Sequence, residues 1–128
     1  MIVVDTSALM AILLAEPESA RCINVLQGHA QVYMSAGTLA EAMVVAGRRN
    51  IADELAALVD GLGIEVAPLS SAGAARVAQA YRRWGKGVHS AGLNLGDCFA
   101  YALADELGAP LLYVGHDFAA TDLTAAQP

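Results

Sequence analysis

Four short apolar runs, at residues 2–4, 31–34, 64–67 and 111–114, recur along the chain with helix-like segments between them. Runs of three or four β-branched and aliphatic residues have the length of buried strands and are too short for buried helices. Strands that alternate with helices build βαβ units and a mainly parallel sheet. Right-handed crossovers then place the helices on both faces of that sheet. The pattern predicts an α/β fold.

The punctuation agrees with this reading. Thr6 or Ser7 is placed to cap a first helix through Leu14, and Pro17 suits the first turn of a second one reaching Leu26. Ser35 precedes a third helix, and a fourth runs from Asn50 to Val59 before Gly61 and Gly63. Ser70 or Ser71 can cap a helix running to Trp84, and "GKGVHSAGLN" then breaks all periodicity and reads as a loop. Asn94 caps the last long helix, which stops at Gly108 with Pro110 beyond. No repeat, linker or shift in composition divides the chain, so residues 1–128 are expected to form one domain.

Ligands in an open α/β sheet bind beyond the carboxyl ends of the strands. Asp5 stands at the carboxyl end of the first run and Asp117 follows the last, in "LLYVGHDF". Glu41 interrupts a helix face of small apolar residues, with Gly37 and Val45 one turn to either side. Asp97 lies in the first turn of an otherwise apolar helix. Each acid also has an ordinary structural reading. Asp5 suits a turn or N-cap, Asp97 a capping box with Asn94, Asp117 the cap of a short terminal helix, and Glu41 a solvated helix end. Together they say more. Clustered carboxylates repel unless a cation joins them, and an all-oxygen ligand set selects hard ions such as Mg²⁺ or Mn²⁺. Such a centre suits hydrolysis at phosphorus.

At this point the motifs resemble a known family. "IVVDTSAL", "LAEAMVV", "GLNLGDCFAYALA" and "GAPLLYVGHDFAATDL" are similar, in order and spacing, to the motifs of PIN-domain ribonucleases, specifically the VapC toxins of bacterial type II toxin–antitoxin systems. The likeness runs from Met1 to about Leu123. It implies a PIN-like α/β/α sandwich with a small twisted parallel sheet, a homodimer, and Mg²⁺- or Mn²⁺-dependent endonucleolytic cleavage of RNA. It also implies inhibition, in a heteromeric complex, by a cognate VapB-like antitoxin, while the isolated Cys22 and Cys98, read as reduced thiols, suit a cytoplasmic protein. Carried over by position, Asp5 and Asp97 become the central metal ligands, and Glu41 and Asp117 complete the shell or orient the attacking water. Thr6 and Ser7 become supports for a ligand carboxylate, and Asp122 an outer acid. Two positions depart from the family's pattern: Ser90 stands where proline often follows the loop histidine, and Val114 where lysine often precedes the last glycine.

Composition limits the alternatives. Hydrophobic residues make up 56% and aromatics 5%, so the core is aliphatic and the chain is not of the disordered class. The uncharged stretch from Ala8 to Ala15 is far short of the roughly 18 residues that span a bilayer, and no basic leader precedes it, so no membrane partner is expected. Cys22 and Cys98 are isolated, which argues against zinc or a disulfide framework. The net charge of −6 speaks against nucleic acid at face value. Setting aside Asp5, Glu41, Asp97, Asp117 and Asp122, however, leaves eight acids against seven lysines and arginines. Arg82, Arg83 and Lys86, or Arg48 and Arg49, are then candidates for RNA phosphates, with solvated helix ends as the plain alternative. His89 and His116 read as exposed loop residues, Cys98 as packing, and Tyr81 with Trp84 as core or dimer surface. A phosphotransferase with an aspartyl nucleophile is disfavoured by Ser7, which stands where a second acid is needed. A receiver domain is disfavoured by the lack of any lysine after Lys86. A PIN-like module that only binds an antitoxin is the rival from another class.

Overall fold

A computed structural model describes residues 1–126. The elements run β1 (Ile2–Val4), α1 (Thr6–Leu13), α2 (Ser19–Gln27), β2 (Val32–Ser35), α3 (Ala36–Arg48), α4 (Ala52–Gly61), β3 (Glu65–Ala67), α5 (Ser71–Trp84), α6 (Leu95–Leu107) and β4 (Leu111–Leu112). The strands form one parallel sheet in the order β3-β2-β1-β4. Every expected apolar run supplies one strand, and the α/β reading holds.

Burial explains why β1 reads as an unbroken apolar run. Ile2, Val3 and Val4 are all fully buried. Because strand side chains alternate, Ile2 and Val4 enter the core under α1, α2, α3 and α4, while Val3 enters the opposite core with α5 and α6. The result is a three-layer sandwich. On the first face, Leu9, Cys22, Met34 and Leu55 pack with alanines of α3; on the second, Leu93, Cys98, Tyr101 and Leu111 pack with Val77 and Ala80 of α5. Cys98 is packing, as expected.

Local signals fix most ends. Ser35 and Ser70 accept the amides of Gly37 and Gly73, Asn94 makes a capping box, and Gly108 ends α6 at φ 60°. Three starts differ from the sequence reading, and one is the fourth helix, which begins at Ala52 because Asn50 is left-handed at φ 58°. The cap of α1 is Asp5, which accepts the Ser7 amide, whereas Thr6 is already helical. The second helix begins at Ser19 rather than at Pro17, which lies in the turn ahead of it. The expected loop after Trp84 is present, and the His89 ring packs edge-on against Trp84 at 4.7 Å, pinning that loop to α5.

The order of the strands determines where a site can form. Chain progression runs outward from β1 to β2 to β3, then returns to the other side of β1 for β4. The switch point therefore lies between the carboxyl ends of β1 and β4, where the diverging connections open a crevice.

Candidate metal centre

Asp5 is the first residue past β1 and is 4% exposed. Its Oδ2 atom accepts the Ser7 amide at 3.1 Å and the Ser7 hydroxyl at 2.7 Å. Its Oδ1 atom is buried with no hydrogen-bond partner. One oxygen thus does the work of a helix cap while the other is buried without a partner at the carboxyl end of β1. Asp97 divides its carboxylate in the same manner. Oδ2 closes the capping box on the Asn94 amide at 3.1 Å, which leaves Oδ1 to other partners. The ordinary readings of both acids are therefore correct, and they use half of each carboxylate.

Glu41 arrives from α3 and is half-buried. The Thr6 hydroxyl donates to its Oε1 at 2.7 Å across 35 sequence positions. Ser7 adds a second long-range tie, accepting the Val114 amide at 3.0 Å and so joining the start of α1 to the segment that leaves β4. Asp117 lies on the exposed turn that follows, without a helix of its own to cap.

The electrostatics show which charges face each other. Burial, opposed by the Ser7 hydrogen bonds and helped by the charge of Glu41, lifts Asp5 to about 6. Burial also lifts Asp97 to about 7, opposed by the Asn94 amide and reinforced by the charges of Asp5, Asp117 and Glu41 in that order. The four acids thus share one field. Among the described residues no group of three or more His, Cys, Asp or Glu side chains is arranged to hold a metal ion. A hard divalent cation does not need such a group, since Mg²⁺ commonly takes one or two carboxylates and keeps several waters. An orphaned carboxylate oxygen, a second half-free carboxylate beside it and an all-oxygen donor set suit such an ion.

Other expected residues fall elsewhere. Asp122 accepts the Tyr101 hydroxyl at 2.6 Å and pairs with Arg83 at 3.5 Å. It is not among the charges that raise Asp5 and Asp97, and its contacts tie the segment after β4 to α5 and α6. Arg83 is correspondingly engaged, with its guanidinium also 4.5 Å above the Trp84 ring. Arg82, Lys86, Arg48 and Arg49 are exposed, as is His116. Sequence reasoning missed Val114 and Tyr101. Neither carries a local signal, because each matters through a partner far along the chain.

The chain matches the PIN domain family over residues 2–123. It is 38% identical over 130 residues to ribonuclease VapC30 of Mycobacterium tuberculosis, covering 98% of this chain and 99% of that protein. Among solved structures it resembles M. tuberculosis VapC20, described as a Sarcin-Ricin loop cleaving toxin, with a TM-score of 0.81 at 18% identity over 100% of both chains. A toxin–antitoxin complex from Klebsiella pneumoniae contains a chain that matches with a TM-score of 0.72 at 19% identity, covering 95% of this chain and 93% of that one.

Proposed function

The chain belongs to the PIN domain family, and from that premise we propose that it is the toxin of a type II toxin–antitoxin pair, a VapC-type endoribonuclease. The observation that carries the reading is the buried, unpartnered Oδ1 of Asp5 at the switch point of the sheet, with the charge of Asp97 beside it. Asp5 and Asp97 would hold Mg²⁺ or Mn²⁺, with the oxygens that capping leaves free as the donors. When bound, such an ion offsets charge on the phosphodiester and makes water a competent nucleophile.

The remaining work belongs to the chain's own side chains. Glu41, its Oε1 fixed by Thr6, would complete the ion's shell or orient the attacking water. Ser7 holds Asp5 in direction, and Asp117 adds negative charge at the mouth of the crevice, where it completes the outer shell. Arg82 and Lys86 are free to meet RNA phosphates, whereas Arg83 is committed to Asp122. A homodimer belongs to the reading, with Val44 at 55% and Leu95 at 58% exposure as apolar surface to cover. So does a cognate VapB-like antitoxin, since likeness to a chain of a toxin–antitoxin complex favours that class of partner. No helix among the described residues is long and apolar enough to cross a membrane, in keeping with a cytoplasmic site of action.

The test is cleavage of a broad RNA panel by wild type, Asp5→Asn and Asp97→Asn, with Mg²⁺ and with EDTA. Metal-dependent cleavage by wild type alone is expected. Equal cleavage by all three that EDTA does not suppress would overturn the metal–carboxylate mechanism. No cleavage at all, together with tight antitoxin binding, would make the protein a binding module instead.

A further inference from the structure

We propose that Gly96 is a positioning residue, whose missing side chain is the seat of the Glu41 carboxylate. It lies in the first turn of α6, between the N-cap Asn94 and the acid Asp97. A Cβ placed there would overlap Glu41 Oε2 and come within 3.0 Å of Oε1. That same Oε1 receives the Thr6 hydroxyl at 2.7 Å. Glu41 is thus held between a hydroxyl from α1 and the bare backbone of α6.

The contact belongs to a reciprocal arrangement of α3 and α6. Gly37 and Glu41 share a face of α3 at a spacing of four, and Gly96 and Phe99 share a face of α6 at a spacing of three. Phe99 lies where a Cβ on Gly37 would be, just as Glu41 lies where a Cβ on Gly96 would be. Each helix offers one notch and one side chain to the other. The two notches differ in kind. A ring in the Gly37 notch is packing, but an ionisable group in the Gly96 notch has a directional task. The seat also suits its charge, because the start of α6 presents backbone N–H groups and the positive end of the helix dipole.

Glycine is a poor helix residue, so its presence in this turn calls for a local reason. The obstructing atoms belong to the tip of a flexible side chain, so alanine at position 96 can be housed by moving the Glu41 carboxylate and leaving both backbones in place. The fold and the site then respond in opposite directions. The inference rests on the ribonuclease reading for the meaning of that displacement.

The experiment is Gly96→Ala in the full chain, alone and combined with Glu41→Gln. Mn²⁺ binding is followed by calorimetry, RNA cleavage by rate, and metal-free thermal unfolding by circular dichroism. Gly96→Ala is expected to unfold at or above the wild-type temperature while losing about tenfold in Mn²⁺ affinity, the scale seen when a residue that orients a metal ligand is changed. In the Glu41→Gln background it should produce no further loss in affinity or rate. An equal loss in that background, or no loss in wild type, overturns the proposal. So does a lowered unfolding temperature, which would assign Gly96 to maintenance of the fold. Asp5→Asn, titrated with Mn²⁺ alongside, tests the underlying metal site separately.

Discussion

The Ser7 hydroxyl donates to Asp5 Oδ2 at 2.7 Å, while the same oxygen accepts the Val114 amide at 3.0 Å. One small side chain therefore links the exits of β1 and β4, the two strands that flank the switch point. The direction of the Asp5 carboxylate is set by both strands at once.

Removing that hydroxyl should injure stability and activity together. Ser7→Ala leaves the Val114 amide without its acceptor and frees Asp5 to turn, at a cost of about 1–2 kcal/mol. A lower urea midpoint and slower RNA cleavage are expected, with Ser7→Thr restoring much of both. A Ser7→Ala protein that cleaves at the wild-type rate would take Ser7 out of this role.

The raised acids make the metal-free protein sensitive to base. Asp5 and Asp97 stand near 6 and 7 when folded, against 3.8 for the ordinary group. Between those values the folded chain binds more protons than the unfolded one, so stability falls as pH rises. The loss begins near pH 4 and is complete above about pH 8, with roughly 3 kcal/mol from Asp5 and a further contribution in the same direction from Asp97. Urea unfolding in EDTA should give a lower midpoint at pH 8 than at pH 5. A midpoint that climbs over that interval would contradict the assignment.

Asp5→Asn should then separate stability from function. Replacing a buried charge by a neutral amide flattens this pH dependence and raises metal-free stability at pH 8, even as cleavage disappears. The same change should abolish stabilisation by Mn²⁺, which for wild type reaches about 2.7 kcal/mol at a hundredfold excess over Kd. Thermal melts with and without Mn²⁺ decide the matter, and a mutant still stabilised by the ion would exclude Asp5 as a ligand.

Asp122 should behave as a structural residue. Breaking its bonds to Tyr101 and Arg83 with Asp122→Asn or Tyr101→Phe is expected to cost about 1 kcal/mol, because the pair with Arg83 is partly exposed. Mn²⁺ affinity should be unchanged in both. A marked loss of affinity in Asp122→Asn alone would return it to the acidic site.

The sheet and its helices were legible because they depend on local signals. Ile2, Val3 and Val4 announce a strand buried on both faces, and Ser35, Ser70, Asn94 and Gly108 mark helix ends by chemistry that acts within a few residues. The acids were legible as a set, through the motifs of a family. Their supports were harder to read. That Thr6 serves Glu41 and Ser7 serves Val114 depends on α3 and β4 being brought against the start of α1, over 35 and 107 positions. Asp122 shows how far packing can redirect an acid. It is an acid close in sequence to Asp117, yet the packing of α5 and α6 gives it Tyr101 and Arg83 as partners.

The strand order also governs how the protein is made. β1 leaves the ribosome first among the strands, but one of its two neighbours, β4, is the last to be synthesised. Until that strand arrives, Asp5 lacks the wall that Leu112 and Val114 provide, and Asp117 does not yet exist. A growing chain therefore carries the acids of α1, α3 and α6 before the second wall of the crevice that unites them has been made.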